Sequence, residues 1–428
     1  MLKTKNVQYV VFVAVIFGYA SYYLLRKNFA LAMPYLSNAY DQSELGLILS
    51  AVSIAYGFGN LIMGFMVDYL NPKRVFIIGL LLSAIINLVF GVVPLQNAFL
   101  LMFTLMFING FAQGVGYPAS SKLITQYAEH KRQQDRVITY WSIGQNIGGG
   151  LMAPLATFGM ALMVLFPIFI NEKYRGAFLL PGMIVLIVAC VLMYVLRKVE
   201  QPHTQAAYRE HVRMTQLLKG FYTNARQLMK SPYFLLILCA NMIAYFIRYA
   251  ILDWQPTLMG QLRHVSENQS ATLYMMYEWM GILGTLLFSF LVHRYFPKRA
   301  TVIGLCFMIV LLVVTSLYFY LPDSSQLVQH IAFVLIGMCV YGPLLFVNME
   351  AMSVVSYELI GAAVGLLGFV GNVVGAAAAN VIVGYFISIS WQSSFLFIVI
   401  IECIGVIIFS LMILEKGKKD KKEAELDV

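Results

Sequence analysis

Residues 23–26, Tyr-Leu-Leu-Arg, recur as Tyr-Phe-Ile-Arg at 245–248, an offset of 222 residues, and both copies stand inside long apolar runs. A second pattern, Pro-Lys-Arg, occurs at 72–74 and again at 297–299, an offset of 225 residues. Two offsets that nearly agree indicate an internal repeat. The sequence therefore predicts two similar halves, each with one arginine at an equivalent position inside an apolar segment.

The composition indicates that both halves lie in a membrane. Of the 428 residues, 60% are hydrophobic and 11% are charged, with a mean hydropathy of +0.78, whereas soluble chains typically carry about 25% charged residues. An apolar run of about 20 residues can cross a bilayer as a helix. We predict an all-α integral membrane protein with twelve transmembrane helices, at residues 8–33, 44–67, 75–94, 97–126, 137–168, 176–197, 232–260, 268–292, 300–320, 328–352, 358–386 and 389–414.

One long polar interruption divides these helices into six and six. The predicted division is an amino-terminal half at 1–197, a cytoplasmic linker at 198–231, a carboxyl-terminal half at 232–415 and a charged cytoplasmic tail at 416–428. Parallel six-helix halves that rock about a midplane site are a known plan of secondary transporters.

The distribution of positive charge predicts the orientation. Lys and Arg residues fall mostly in the even-numbered breaks and at both termini, and positively charged loops stay in the cytoplasm, so both termini are predicted to be cytoplasmic. The net charge of +9 reflects this topology, and we expect no nucleic-acid partner. The five cysteines are scattered without a CxxC pair, which indicates neither a disulfide framework nor a metal site.

Arg26 and Arg248 lie inside predicted helices. An arginine at the centre of a spanning helix costs about 2.5–3.5 kcal/mol on insertion scales, and such residues usually face a cavity on a substrate path. A guanidinium group is always charged, and its planar fork matches phosphate or carboxylate oxygens. We predict that both arginines face one central cavity near mid-membrane and hold a divalent anion. The alternative is an internal ion pair with a carboxylate, for which Asp253 and Glu278 are candidates.

Tyrosines accompany both arginines. Tyr19 and Tyr23 precede Arg26 by seven and three positions, and Tyr245 precedes Arg248 by three, which puts each tyrosine on the helical face of its arginine. Their hydroxyl groups are suited to hydrogen-bond phosphate oxygens. Packing, or a place in an interfacial aromatic belt, is the alternative.

Two other features suggest structural roles. Lys27 follows Arg26 directly and points about 100° away around the helix, so we expect it to be structural or to reach toward the membrane surface. Glycines at 148–150 and a Gly/Ala-rich run at 361–375 suggest close helix packing or a flexing hinge.

At these residues the chain resembles a known family. Residues 18–36, GYASYYLLRKNFALAMPYL, and residues 248–256, RYAILDWQP, closely resemble the first and seventh helices of bacterial glycerol-3-phosphate transporters. These belong to the organophosphate:phosphate antiporter family of the major facilitator superfamily. Shorter matches at Tyr277-Glu278 and at residues 341–343 extend the similarity along most of the chain.

The resemblance implies a rocker-switch antiporter that exchanges an organic phosphate for inorganic phosphate. It implies the major facilitator fold and a multi-pass protein in contact with lipid in the bacterial cell (inner) membrane. It also implies no enzymatic activity and no cofactor, and we expect a monomer. Arg26 and Arg248 match the family's substrate-binding arginine pair. The positions that line or support its cavity are matched by Tyr19, Tyr23, Tyr56, Tyr245 and Glu278.

The chain departs from the family pattern at two cavity positions. Gly59-Asn60 stands where the glycerol-3-phosphate and hexose-phosphate transporters have Ser-Lys, and Gln145-Asn146 stands where they have His-Asn. We include Asn60 and Gln145 among the predicted substrate-binding residues. These departures predict a site that is less positive and that lacks a titratable histidine.

Three other functional classes compete with the antiporter. A proton-coupled organic anion symporter would need a titratable group in the membrane, for which Glu278 and Glu402 are candidates. A transporter-like receptor for a phosphorylated ligand would need a cytoplasmic surface such as the 198–231 linker. A membrane enzyme is disfavoured because no nucleophile with an accompanying base can be identified.

Overall fold

The computed structural model describes residues 4–67, 70–166, 172–199, 214–296, 299–321, 326–356 and 359–426. Their α-helices are α1 (Thr4–Leu24), α2 (Asn28–Leu36), α3 (Gln42–Met66), α4 (Pro72–Val92), α5 (Phe99–Gly114), α6 (Gly116–Tyr127), α7 (Lys131–Met163), α8 (Gly176–Arg197), α9 (Met214–Leu228), α10 (Pro232–Leu252), α11 (Gln255–Gln261), α12 (Glu267–Tyr295), α13 (Ala300–Tyr320), α14 (Gln326–Ser353), α15 (Ile360–Phe369), α16 (Ala377–Ile389) and α17 (Trp391–Leu426). A π-helical segment, Val370–Ala376, joins α15 to α16.

These helices form twelve segments that are long and apolar enough to cross a membrane, which confirms the prediction. Spans 1 to 12 are Val7–Leu36, Gln42–Gly64, Pro72–Val92, Phe99–Tyr127, Arg136–Met163, Glu172–Arg197, Pro232–Gln261, Glu267–Tyr295, Ala300–Tyr320, Gln326–Ser353, Ile360–Ile389 and Trp391–Lys418. Spans 1, 4, 7 and 11 are each built from two α-helices.

The packing of the spans repeats after six. In the first set of six, span 1 packs on span 5, span 2 packs on span 4, and span 3 packs on span 6. In the second set, the equivalent pairs are spans 7 and 11, spans 8 and 10, and spans 9 and 12. Contacts between the two sets of six join span 2 to span 11 and span 5 to span 8. Because span 2 corresponds to span 8 and span 11 corresponds to span 5, these two contacts are equivalent. The fold thus has the pseudo-symmetry that the repeated sequence patterns predict.

Hydrogen bonds mark the face of the molecule on which the chain begins and ends. Gln8 donates from Nε2 to Oε1 of Glu129 at 3.0 Å, joining the start of span 1 to the region after span 4. Glu350, at the end of span 10, accepts at 2.6 Å from both Tyr233 and Lys416, at the start of span 7 and the end of span 12. We call this side the termini face and the other side the opposite face.

The repeated Pro-Lys-Arg pattern marks the start of a span. Asn71 caps α4 by accepting from the backbone N–H groups of Lys73 and Arg74, and Pro72 takes the first helical position, which suits its fixed φ and missing N–H. In the second copy Arg299 directly precedes α13, and residues 297–298 lie outside the described residues.

Consecutive glycines allow span 5 to touch both halves. A Cβ at Gly148 would lie 2.2 Å from the backbone oxygen of Ala20 in span 1, and a Cβ at Gly150 would lie 2.5 Å from Nε1 of Trp279 in span 8. A Cβ at Gly149 would lie 3.4 Å from the carboxyl carbon of Glu278. The predicted close packing is therefore present at residues 148–150.

Three local features depart from an uninterrupted twelve-helix pattern. Span 1 is broken at residues 25–27, between α1 and α2, and span 11 contains the π-helical segment near its middle. The linker carries an α-helix, α9, which contacts α15 on the termini face. Residues 200–213 of the predicted linker lie outside the described residues, and the predicted domain limits remain predictions.

Candidate substrate-binding site

Arg26 lies in the break of span 1 and is only 8% exposed. Its Nε donates a hydrogen bond to Oε1 of Gln113 in span 4 at 3.0 Å. The guanidinium carbon lies 4.0 Å from the ring centroid of Tyr56 and 4.4 Å from that of Tyr23, so two aromatic faces stabilise the cation. All three partners are neutral, and they leave the positive charge of Arg26 available to an anion.

Arg248 lies in α10 and has a carboxylate partner. Its Nη2 lies 3.2 Å from Oε1 of Glu278 in span 8, whose other oxygen accepts from the hydroxyl of Tyr341 at 2.5 Å. The Arg248 guanidinium carbon lies 4.6 Å from the Tyr341 ring centroid. Nε of Arg248 is buried and has no hydrogen-bond partner among the described residues. Arg248 therefore pairs with a carboxylate and keeps one unused donor.

The two arginines converge on shared tyrosines. Tyr23 and Tyr249 each lie near both Arg26 and Arg248. The Tyr249 ring centroid is 5.6 Å from the guanidinium carbon of Arg248. One arginine from each half thus borders the same aromatic pair, as a site for a single anion between the halves requires.

Lys27 and Asp253 form an ion pair between the halves, on the opposite-face side of the arginines. Nζ of Lys27 lies 2.6 Å from Oδ2 of Asp253, whose side chain is fully buried, and 3.9 Å from the ring centroid of Tyr249. The Lys27 side chain is 12% exposed, so it does not reach toward the surface. Asp253 pairs with Lys27, whereas the carboxylate bonded to Arg248 is that of Glu278.

The predicted residues of spans 1 and 5 form a polar and aromatic chain that leads to Arg26. The Tyr23 hydroxyl donates to Oε1 of Gln145 at 3.1 Å, and it lies 3.5 Å from the Tyr19 hydroxyl. The Tyr19 ring packs against Trp141 with centroids 4.6 Å apart. Gln145 therefore reaches the arginine site through Tyr23.

Tyr245 and Asn60 lie at the border of the site. Tyr245 stacks on Tyr249 with centroids 6.0 Å apart and packs closely on Gly371 in the π-helical segment of span 11. Asn60 lines a cavity that opens on the termini face. Its amide nitrogen would lie 3.6 Å from a Cβ at Gly368, so Asn60 of span 2 lies close to span 11.

The arginine site lies between two cavities, one on each face. The termini-face cavity, of about 690 Å³, is bounded toward the arginines by Gly57 and Tyr117. The opposite-face cavity, of about 660 Å³, is bounded by Leu31 and Pro256. These two residues lie beyond Lys27 and Asp253 in the chain, so the ion pair separates this cavity from the arginines.

Further contacts close the opposite face. Glu267 at the start of span 8 accepts from Tyr35 and from Nζ of Lys173 at 2.6 Å, both in the first six spans. Spans 2 and 11 touch there closely enough that a Cβ at Gly46 would lie 2.3 Å from the backbone oxygen of Asn380. In this conformation the two halves are joined by polar contacts on the opposite face.

Several residues of this site were not predicted from the sequence. Gln113, Tyr249 and the pairing of Lys27 with Asp253 emerge only from the fold. A signal existed for Lys27, because a lysine inside a membrane span usually has a partner or faces a cavity. Gln113 in an apolar run is a weaker signal, since such amides commonly join helices.

Residues 15–379 match the Major Facilitator Superfamily. The chain belongs to this superfamily. The prediction of a membrane transporter rather than an enzyme is thereby confirmed. A bacterial homologue of the human lysosomal transporter Spinster, in an inward-facing and unoccupied conformation, has the same fold. Its TM-score is 0.79 at 17% identity, covering 95% of this chain and 97% of that one.

Among characterised relatives, the glycerol-3-phosphate transporter of Bacillus subtilis is 33% identical over 97% of this chain and 94% of its own. The hexose-6-phosphate:phosphate antiporter of Escherichia coli is 27% identical over 97% of this chain and 93% of its own. These likenesses confirm the family that the sequence resembles, the organophosphate:phosphate antiporters. The protein is thus a multi-pass secondary transporter of the major facilitator superfamily.

Proposed function

We propose that this transporter exchanges a small organic phosphate for inorganic phosphate by alternating access. The observation that carries the proposal is the convergence of Arg26 and Arg248, from opposite halves, around Tyr23 and Tyr249. Relatives named for glycerol-3-phosphate transport and for hexose-6-phosphate:phosphate exchange support the substrate class.

The chemistry of the site suits a phosphate group. Arg26 offers the donors that Gln113 leaves unused, and Arg248 offers a buried Nε without a partner among the described residues. Charge-assisted hydrogen bonds from guanidinium to phosphate are short and strong. The hydroxyl group of Tyr245 adds a neutral donor. The site would bind the phosphate group, and the organic part would lie toward the aromatic wall.

Glu278 would change its partner when an anion binds to Arg248. Its carboxylate occupies Arg248, so an arriving anion competes with Glu278 for the same guanidinium group. Once released, Glu278 would keep its hydrogen bond from Tyr341. Because Glu278 also lies against Gly149 of span 5, this exchange of partners acts at a contact between the halves.

Alternating access requires the contacts on the opposite face to break. In this conformation Lys27–Asp253 and Lys173–Glu267 join the halves there, and these pairs must separate for the site to open to the opposite face. With both termini in the cytoplasm, as the Lys and Arg distribution predicts, the termini-face cavity faces the cytoplasm. We assign the protein to the bacterial inner membrane, and one chain suffices because it carries both halves.

Exchange by purified protein in vesicles tests the proposal. Vesicles loaded with phosphate should take up labelled phosphate, and unlabelled glycerol-3-phosphate, phosphoglycerates, phosphoenolpyruvate and hexose phosphates should compete when they are substrates. An antiporter needs the internal anion, a symporter needs a pH gradient, and a receptor shows no flux. Uptake into phosphate-free vesicles that is driven by a pH gradient would contradict exchange and favour the symporter.

A further inference from the structure

A chain of buried amide and hydroxyl groups extends from Arg26 into spans 3 and 4. Its members, each no more than 2% exposed, are Asn28, Ser83, Asn87, Asn109 and Gln113. We call this chain the amide network. Gln113 of span 4 accepts at Oε1 from Nε of Arg26 at 3.0 Å, so the network begins at the arginine site. All of its side chains are neutral, and all lie in the first half.

The network fixes the orientation of the Gln113 amide. Nε2 of Gln113 donates to Oγ of Ser83 and to Oδ1 of Asn109, both at 3.2 Å. The Ser83 hydroxyl itself donates to Oδ1 of Asn109 at 2.5 Å, so it offers only a lone pair to Gln113. Because an amide donates from nitrogen and accepts at oxygen, Oε1 of Gln113 is turned toward Arg26, which has only donors.

The network also holds the chain that follows the break in span 1. Asn28, the first residue of α2, donates from Nδ2 to Oδ1 of Asn87 in span 3 at 3.1 Å. Asn87 donates in turn to the backbone oxygen of Ser83 at 2.9 Å. Buried networks of this kind rigidify the groups that they join. The turn at residues 25–27 is therefore held on both sides, through Arg26 and through Asn28.

The second half lacks an equivalent network. At the repeat offsets of 222–225 residues, its five members correspond to positions within 250–253, 305–312 and 331–338, and these ranges contain no Asn or Gln. Nη2 of Arg248 lies instead 3.2 Å from the carboxylate of Glu278. A carboxylate compensates the charge of the guanidinium group that it orients, whereas a neutral amide orients it and leaves the charge uncompensated. The two arginines are thus held in different ways.

We propose that the amide network positions the planar fork of Arg26 for the phosphate group without neutralising its charge. This role deepens the proposed function and rests on it. Gln113 engages Nε of Arg26, which leaves the edge with the two terminal nitrogen atoms for phosphate oxygens. Ser83 and Asn109 act on the substrate only through Gln113, so they are positioning residues. Arg26 binds the anion before Arg248 does, because an anion at Arg248 must first displace Glu278.

Phosphate binding to the purified protein measures this positioning. Ser83→Ala removes the hydroxyl that holds the Gln113 amide, so the dissociation constant for labelled inorganic phosphate should rise about fivefold, the effect of losing a neutral hydrogen bond. Gln113→Glu places a competing carboxylate at Arg26 and should raise the constant further. Ser50→Ala is the matched control and should leave it unchanged, because this buried serine of span 2 donates to the backbone oxygen of Leu47 in its own helix at 2.7 Å.

A double-mutant cycle separates positioning from a structural role. A lysine is a point charge without a fork to orient, so in the Arg26→Lys background Ser83→Ala should change the dissociation constant by less than about twofold. An equal rise in both backgrounds, or no rise in the wild-type background, would overturn the positioning role. The expected cycle in a protein that binds phosphate without exchanging it would support the positioning role and overturn the proposed function.

Discussion

Lys27 and Asp253, 226 residues apart in the chain, meet at 2.6 Å between the two halves on the opposite-face side of the arginines. Removing one partner of a buried ion pair leaves an uncompensated charge, at a cost of about 3–5 kcal/mol. Asp253→Asn should therefore destabilise the conformation that is closed on the opposite face. The population of the conformation open on that face should rise.

Cysteine labelling measures this shift. Thr157 lines the opposite-face cavity and is 5% exposed. In a background without the five native cysteines, Thr157→Cys should react faster with a membrane-impermeant thiol reagent when Asp253→Asn is present. Glu415→Gln, which breaks an exposed pair with Lys418, is the control and should leave the labelling rate unchanged. Unchanged labelling with Asp253→Asn would refute a closing role for the pair.

The pH dependence of exchange should follow the substrate. Arg26 and Arg248 carry permanent charge, and Asn60 and Gln145 do not titrate, so exchange should rise with pH as the dianion forms, with a midpoint near pH 6, about the second ionisation of a phosphate ester. A substrate analogue with a higher second pKa should move the midpoint upward. A midpoint that stays fixed when the substrate pKa changes would indicate a titrating group of the protein instead.

Selectivity should change when the family's residues are restored. Asn60 lines the termini-face cavity and Gln145 accepts from Tyr23, so Asn60→Lys with Gln145→His adds a cation and a titratable ring close to the path of the anion. The double variant should favour glycerol-3-phosphate and hexose phosphates over other esters, relative to wild type. Competition against phosphate exchange gives the ratios, with each single variant as control. Unaltered ratios in the double variant would show that these positions do not set selectivity.

Close packing between spans 1 and 5 predicts a stability effect. A Cβ at Gly148 would lie 2.2 Å from a backbone oxygen, whereas a Cβ at Gly361 meets no described atom within 4 Å. Gly148→Ala should lower the free energy of unfolding by about 1–3 kcal/mol, as overpacking does, and Gly361→Ala should not lower it. Thermal unfolding in detergent measures both. Equal midpoints for the two variants would contradict the close approach at Gly148.

Much of the fold follows from the sequence because membrane spans are set by length and hydropathy. The twelve spans and the pseudo-symmetry follow from apolar runs and from the repeated Tyr-x-x-Arg pattern. The break at residues 25–27 was not predicted, because the nearest proline, Pro34, lies inside α2. Arg26 therefore lies in a turn and Arg248 in a continuous helix, so the two copies of the pattern differ locally.

The sequence predicted the residue types of the arginine site better than the hydrogen-bond and ion-pair partners of those residues. Spacing on a helix places Tyr23 beside Arg26, but it cannot identify a partner from a distant span. Glu278 was one of two candidate partners for the arginines, and only the fold assigns it to Arg248 and assigns Asp253 to Lys27.

Phosphate exchange by the single variants Arg26→Lys and Arg248→Lys in phosphate-loaded vesicles tests the arginine site most directly. A lysine keeps the charge but lacks the planar fork of arginine, so the exchange rate of each variant should fall by about tenfold or more. Lys230→Gln, at an exposed lysine, is the control and should exchange normally. Folding is checked by the thermal unfolding midpoint of each purified variant. Near-normal exchange by both arginine variants would contradict an anion site built on this pair.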